Sequence, residues 1–167
     1  VAIVLQATLA RVPASTLSGC TVGLRKVVAL PNKITISLER WPVVVIAQQV
    51  PQLTDAERLE ALAESDRLLS SRTGKYSMVL DNRKAGPVPP TQRKLIADYM
   101  EKHAARARMR CLSTAFVMDS TVMRGVLTAI MWIRKPEVET RVFAELDEAI
   151  AWSRGLHAAS RGLSRPL

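Results

Sequence analysis

Apolar and polar residues change period several times along the chain, and each change marks an element. From residue 34, Ile34, Ile36 and Leu38 alternate with Thr35, Ser37 and Glu39, the two-residue period of a half-buried strand. Val43-Val44-Val45-Ile46 is apolar on both faces, which predicts a second, fully buried strand. Pro42 between them predicts a tight connection and a hairpin. Thr54-Asp55-Ala56-Glu57 then has the form of a capping box, in which the Thr54 hydroxyl accepts the Glu57 amide and the Glu57 carboxylate returns to the Thr54 amide. It predicts a helix to about Ser71 with Leu59, Leu62, Ala63 and Leu69 on its inner face.

The same reading continues to the end of the chain. Tyr76 to Leu80 reads as a short buried strand running out into Asp81-Asn82 and a proline-rich loop to Pro90. Thr91 to Arg108 reads as a helix with Leu95, Ile96, Tyr99, Met100 and His103 on one side. Cys111 to Met118 is another buried strand, and Asp119-Ser120-Thr121 caps a third helix to about Ile133. Thr140 to Ala144 makes a last strand and Leu146 to Arg154 a last helix, with Leu146, Ala149, Ile150 and Ser153 at helical spacing. The order β-β-α-β-α-β-α-β-α predicts a single α/β domain over 34–157: a mixed, mostly parallel sheet of about five strands, an antiparallel first strand and four helices.

Composition changes this picture at the flanks. The chain has 167 residues and a formal net charge of +9. Residues 1–33 carry Arg11, Arg25, Lys26 and Lys33 and no acid, whereas 34–157 carries 18 basic and 15 acidic side chains, so the domain itself is nearly balanced. A protein that grips duplex backbone concentrates its cations on a folded face, and this distribution argues against nucleic acid as a partner. Residues 1–33 read as a leader or flexible extension and 158–167 as a basic flexible tail. Leu17-Ser18-Gly19-Cys20 matches a lipoprotein cleavage box, but Arg11 and Pro13 interrupt the apolar stretch that a signal needs. No apolar run reaches the roughly 18–20 residues of a transmembrane helix. Two cysteines, Cys20 and Cys111, make neither a disulfide framework nor a zinc cage, which fits a cytoplasmic protein.

Ligands of open α/β sheets lie outside the carboxyl ends of the parallel strands. That edge brings together Asp81, Asn82, Arg83, Lys84, Ser120, Thr121 and Arg124 beside the N-terminus of the third helix, a place suited to an anion or a partner's acidic side chain. The third helix is apolar almost all round, and Met123, Leu127, Ile130 and Met131 mark it as central core, as a dimer or partner surface, or as the wall of a pocket for a small apolar ligand or lipid. Arg106, Arg108 and Arg110 complement a helix C-terminus at the opposite edge. Catalysis finds little support: a triad would need Ser120 served by His103 from the opposite end of its helix, and His157 lies near the tail. No glycine-rich phosphate loop, HExxH or CxxC is present, and neither a metal nor a cofactor is implied. Asp81 with Asp119 is the one carboxylate pair on the edge.

The element order, together with the run Arg141-Val142-Phe143-Ala144-Glu145-Leu146-Asp147-Glu148-Ala149-Ile150-Ala151-Trp152, resembles the SpoIIAA-like branch of the STAS fold. Bacterial members of that branch commonly end in a Phe-bearing strand followed by Glu-Ala-x-x-Trp. The resemblance covers residues 34–157 and implies a small non-enzymatic module, related in shape to anti-sigma factor antagonists and more distantly to CRAL-TRIO lipid-carrying domains. It also implies a phosphorylatable hydroxyl at a helix start, which Asp119-Ser120-Thr121 would supply through Ser120 or Thr121. Val122 stands where the motif has glycine, and the tripeptide follows the fourth predicted strand instead of the third.

Overall fold

The structure is a computed structural model that describes residues 26–162 except 31, 134, 135 and 137; of 26–29, 126, 129–133, 161 and 162 it describes the backbone alone. The elements are β1 (Lys26–Leu30), β2 (Ile34–Ser37), β3 (Val43–Gln48), α1 (Asp55–Ser70), β4 (Tyr76–Asp81), α2 (Pro90–Arg110), β5 (Cys111–Val117), α3 (Thr121–Ile133), β6 (Glu139–Phe143) and α4 (Leu146–Gly162). The six strands lie side by side in chain order. β1–β2 and β2–β3 pair antiparallel, and β3 through β6 are parallel.

The α/β class, the antiparallel opening hairpin and the four helices are as the pattern predicts, and the sheet carries one strand more. β1 lies inside the stretch read as a leader. Its sequence, Lys26-Val27-Val28-Ala29-Leu30, shows no alternation that would announce a half-buried strand. Its partner β2 supplies that signal: Val27 stands opposite Ile36 and Val28 opposite Thr35, with a bulge before Leu30. The turn between them uses Asn32 in the left-handed region at φ 63°, which asparagine tolerates better than most residues. Likewise α4 runs to Gly162, into the stretch read as a tail. The cleavage-box residues Leu17 to Cys20 lie outside the described residues.

Alternation in the strands divides the core in two. Val44, Ile46, Tyr76, Met78 and Cys111 pack toward Ala61, Leu68 and Leu69 of α1. Val43, Val45, Val79, Ala115 and Val117 pack toward Ala149 and Ile150 of α4, with Leu146 and Trp152 beside them. Val43, Val44, Val79, Ala115 and Val117 are wholly removed from solvent. The capping box is present as predicted: Glu57 N–H donates to Thr54 Oγ1 at 3.3 Å, and Thr54 N–H to Glu57 Oε2 at 2.9 Å.

Two predicted inner faces shift. In α1 the face on the sheet is Ala61, Leu68 and Leu69, while Leu59 and Ala63 are exposed. The helix rolls because α2 lies beside it and takes part of its apolar surface: Tyr99 Oη donates to the Leu62 carbonyl at 2.9 Å, and Arg106 bonds Asp66. On α2, Met100 is 65% exposed although the spacing put it inward.

Ile36 is 1% exposed at the centre of the α1 side. Ile36→Ala is expected to lower unfolding free energy by about 2–5 kcal/mol, because neighbouring strands cannot close the cavity. Met100→Ala should stay within about 0.5 kcal/mol. Urea titrations of both variants check the pair.

Candidate functional site

The carboxyl edge of the parallel sheet is built by the ends of β3, β4 and β5 and the loops that leave them. Register puts Asp81, the last residue of β4, between Ala47 of β3 and Val117 of β5. It is on the α4 side by alternation and is 8% exposed. Asn82 N–H continues the pairing by donating to the Val117 carbonyl at 2.9 Å. The chain then turns sharply, with Ala85 N–H bonded to the Asn82 carbonyl at 3.0 Å.

This turn folds Arg83 back onto Asp81. Arg83 Nε donates to Oδ1 at 2.9 Å, Nη2 to Oδ2 at 2.8 Å, and the Arg83 backbone N–H to Oδ1 at 3.2 Å. Burial raises the Asp81 pKa, but the guanidinium and the backbone N–H together outweigh it, so the carboxyl sits below its ordinary value. The Arg83 guanidinium is held above its own ordinary value, first by this bond and then by the nearby charges of Asp119 and Glu145. Lys84 reaches Gln49 Oε1 at 3.1 Å. Gly86 N–H donates to the Pro51 carbonyl at 2.8 Å, and a Cβ at Gly86 would stand 3.1 Å from that carbonyl and 3.0 Å from Gln52 Nε2, a tight fit that favours glycine where the two loops approach.

The β5–α3 loop forms the other half of the edge. Ser120 is the N-cap, its Oγ accepting the Met123 N–H at 3.3 Å, as the sequence pattern suggested for Asp119 or Ser120. Arg124 turns back onto its own loop: Nη1 donates to the Met118 and Asp119 carbonyls at 2.7 and 2.8 Å, and Nη2 to Thr121 Oγ1 at 3.1 Å. Both guanidinium groups grouped here as anion-binding therefore have protein acceptors. Asp119, Ser120 and Thr121 are exposed. So are Val122 and Met123, at 75% and 50%, while Leu127 is half-buried. The side chains of Ile130 and Met131 lie outside the described residues. A groove of about 490 Å³ lies between α1 and α2, lined by Leu59, Leu95 and Tyr99 with Lys94, Asp98 and Lys102 around them, so it belongs to a different part of the molecule from α3.

The remaining candidates sort by contact. Arg106 bonds Asp66 and Ser70 Oγ, and Arg110 bonds the Arg72 and Gly74 carbonyls, both tying the end of α2 to the end of α1. His103 stacks on Tyr99 with ring centroids 4.3 Å apart. Burial pushes the Cys111 thiol up, away from the thiolate a nucleophile needs. Among the described residues no three metal-binding side chains cluster, and no helix is long and apolar enough to cross a membrane.

His157 corrects the sequence reading most. It is 8% exposed inside α4, and its Nε2 lies 3.0 Å from Ser77 Oγ, which accepts from Ser113 Oγ at 2.7 Å. The signal was in the pattern: Ile150, Ser153 and His157 continue the inward face of α4 past Arg154. Also missed was a polar group at the end of β3, where Arg58 meets Gln48 and Gln92, both glutamines buried.

No protein-family model and no curated protein matches this chain. The structure is similar to that of an uncharacterised protein from the DUF3478 family with a SpoIIAA-like fold, from Shewanella loihica PV-4. The TM-score is 0.55 at 14% identity, over 72% of this chain and 94% of that one. The fold is thus SpoIIAA-like, as the terminal strand and helix suggested. The quoted motif has a packing role, since the Phe143 and Trp152 rings stand 5.5 Å apart and the Arg141 guanidinium lies 5.5 Å over Trp152.

Asp81 has a depressed pKa in the folded chain, so its ionised form stabilises the fold above its ordinary pKa and that stability is lost as pH falls through the folded value. Asp81→Asn is expected to be less stable than wild type at neutral pH, with the gap closing below about pH 4. Denaturant midpoints measured across acidic pH decide it; a gap independent of pH counts against the ion pair.

Proposed function

We propose that this chain is a non-catalytic interaction module of the STAS type. It holds a protein partner through the edge formed by Asp81, Asn82, Arg83, Lys84, Ser120 and Thr121, with the first turn of α3 as its apolar anchor. The observation that carries this reading is the exposure of Val122 and Met123 directly after the Ser120 cap. Two large apolar side chains are set in water at the start of the helix that follows β5, and the neighbouring strand β4 ends in the bonded Asp81–Arg83 pair, so this edge offers both the apolar and the polar groups of a protein interface. The SpoIIAA-like fold supports the same reading.

A catalytic role for the edge is less well served. Asp81 is engaged by Arg83 through both carboxylate oxygens, which leaves it poorly placed to exchange protons with a substrate. Ser120 is exposed at a helix start, where an added phosphate would meet free amides on one side and Asp119 on the other, so modification of Ser120 or Thr121 would rewrite the charge of the docking edge.

Met123→Glu removes the apolar anchor, and Ser120→Asp changes the charge while keeping a good N-cap. Affinity recovery from the native host, quantified by mass spectrometry, is expected to lose the bound protein by about tenfold or more for both variants, a factor that corresponds to roughly 1.4 kcal/mol. Circular dichroism should be unchanged. Equal recovery by wild type and both variants overturns the surface, and sedimentation of the purified chain distinguishes a second copy from a different protein.

A further inference from the structure

Arg58 sits one turn into α1 and points inward, half-buried, at the carboxyl end of β3. Its Nη1 donates to Gln48 Oε1 at 3.0 Å, and its Nε and Nη2 reach Gln92 Oε1 at 3.4 and 3.5 Å. The glutamines are not free to do otherwise. Gln48 is 7% exposed, and its amide nitrogen is held by the Val50 and Pro51 carbonyls at 2.8 and 3.3 Å. Gln92 is 4% exposed, and its amide nitrogen is held by the Leu53 carbonyl at 2.5 Å. Each is thereby oriented with its oxygen toward the guanidinium.

What the arrangement lacks is a negative charge. Among the described residues no carboxylate bonds or pairs with Arg58. Glu57, next to it in sequence, is taken by Lys33 and the Thr54 N–H. Burial alone pulls the Arg58 pKa down, without a neighbouring charge to offset it. A guanidinium has five N–H groups and stays protonated in proteins. Three are used here, so one N–H on each terminal nitrogen has no acceptor among the described residues. N–H groups on the terminal nitrogens are the donors through which a guanidinium holds a carboxylate or phosphate. The surroundings add to the positive potential: α2 starts at Pro90 beside Gln92, with no side-chain cap and no acid in its first turn.

We propose that Arg58, with Gln48 and Gln92 as its fixed supports, binds a small oxyanion, the carboxylate or phosphate group of a metabolite. The site lies between the β3–α1 and β4–α2 connections and shares no residue with the Asp81/Ser120 edge. The ligand balances the charge that burial leaves uncompensated, and Gln48, through Val50 and Pro51, links it to the loop whose Gly86 bonds Pro51.

The test is a nitrogen-proton spectrum of the full chain titrated with sodium phosphate and, separately, sodium acetate, each against sodium chloride at the same ionic strength. Saturable movement of the Arg58 Nε–H and of the Gln48 and Gln92 side-chain amides in one of the oxyanions is the expected result, and the salt that produces it distinguishes phosphate from carboxylate. Arg58→Gln should abolish the response. Arg58→Lys keeps the charge but loses the fork, and should weaken binding by about tenfold, which carries the test if the glutamine variant fails to fold. Chloride producing the same movement, no saturable movement with either oxyanion, or an undiminished response in Arg58→Lys overturns the site.

Discussion

Val79 stands opposite Val45 on one side and Ala115 on the other, and all three side chains fall on the face that α4 covers. This parallel register is the constraint on which the rest depends. A slip of one residue in β4 would turn Val79 to the α1 side and bring Asp81 and Ser77 with it, since side chains alternate faces along a strand. Asp81 reaches the carboxyl edge next to Val117 only in the observed register, and the Arg83 turn is built on that position. Candidate surface and core are set by the same pairing.

The α4 side of the sheet is not purely apolar. Ser77 and Ser113 lie on adjacent central strands without solvent exposure and join His157 of α4 in one hydrogen-bonded chain. Ser153, one turn earlier, buries its hydroxyl without a protein partner among the described residues. Buried polar groups cost free energy unless they are paired, so such a chain accepts few rotations or shifts of the helix above it. Apolar packing of Ala149 and Ile150 stabilises the docking of α4, and the serine–histidine chain selects where along the sheet it docks.

Much of this was legible in the sequence because it depends on local period. The β2–β3 hairpin, the Thr54–Glu57 box, the α4 face and the Ser120 cap are each specified within a few residues. What escaped depends on contacts that a period does not encode, some with partners far along the chain and some inside a tight turn. β1 is a strand because β2 offers it an edge, and nothing in Lys26 to Leu30 alone says so. Arg83 and Arg124 looked like available cations, yet the tight turns that follow β4 and β5 return both guanidinium groups to their own loops. Gln48 and Arg58 are ten residues apart but Gln92 lies 34 beyond Arg58, so the three meet only after the first crossover has brought the start of α2 back to α1. The roll of α1 had the same origin, in a neighbour that a helical wheel does not contain.

The strand order has a consequence for how the chain assembles. Each strand from β1 to β6 is hydrogen-bonded to the one before it in sequence, so the sheet can grow outward from its first hairpin without waiting for a later segment to slot between two earlier ones. One of its faces follows a different schedule. Val43, Val79, Ala115 and Val117 are covered by α4, the last described element, so an otherwise complete sheet keeps an apolar face open to water until that helix arrives. Chains interrupted within α4 would therefore carry a finished sheet with a sticky side, and quality control would meet them as aggregation-prone species rather than as unfolded ones.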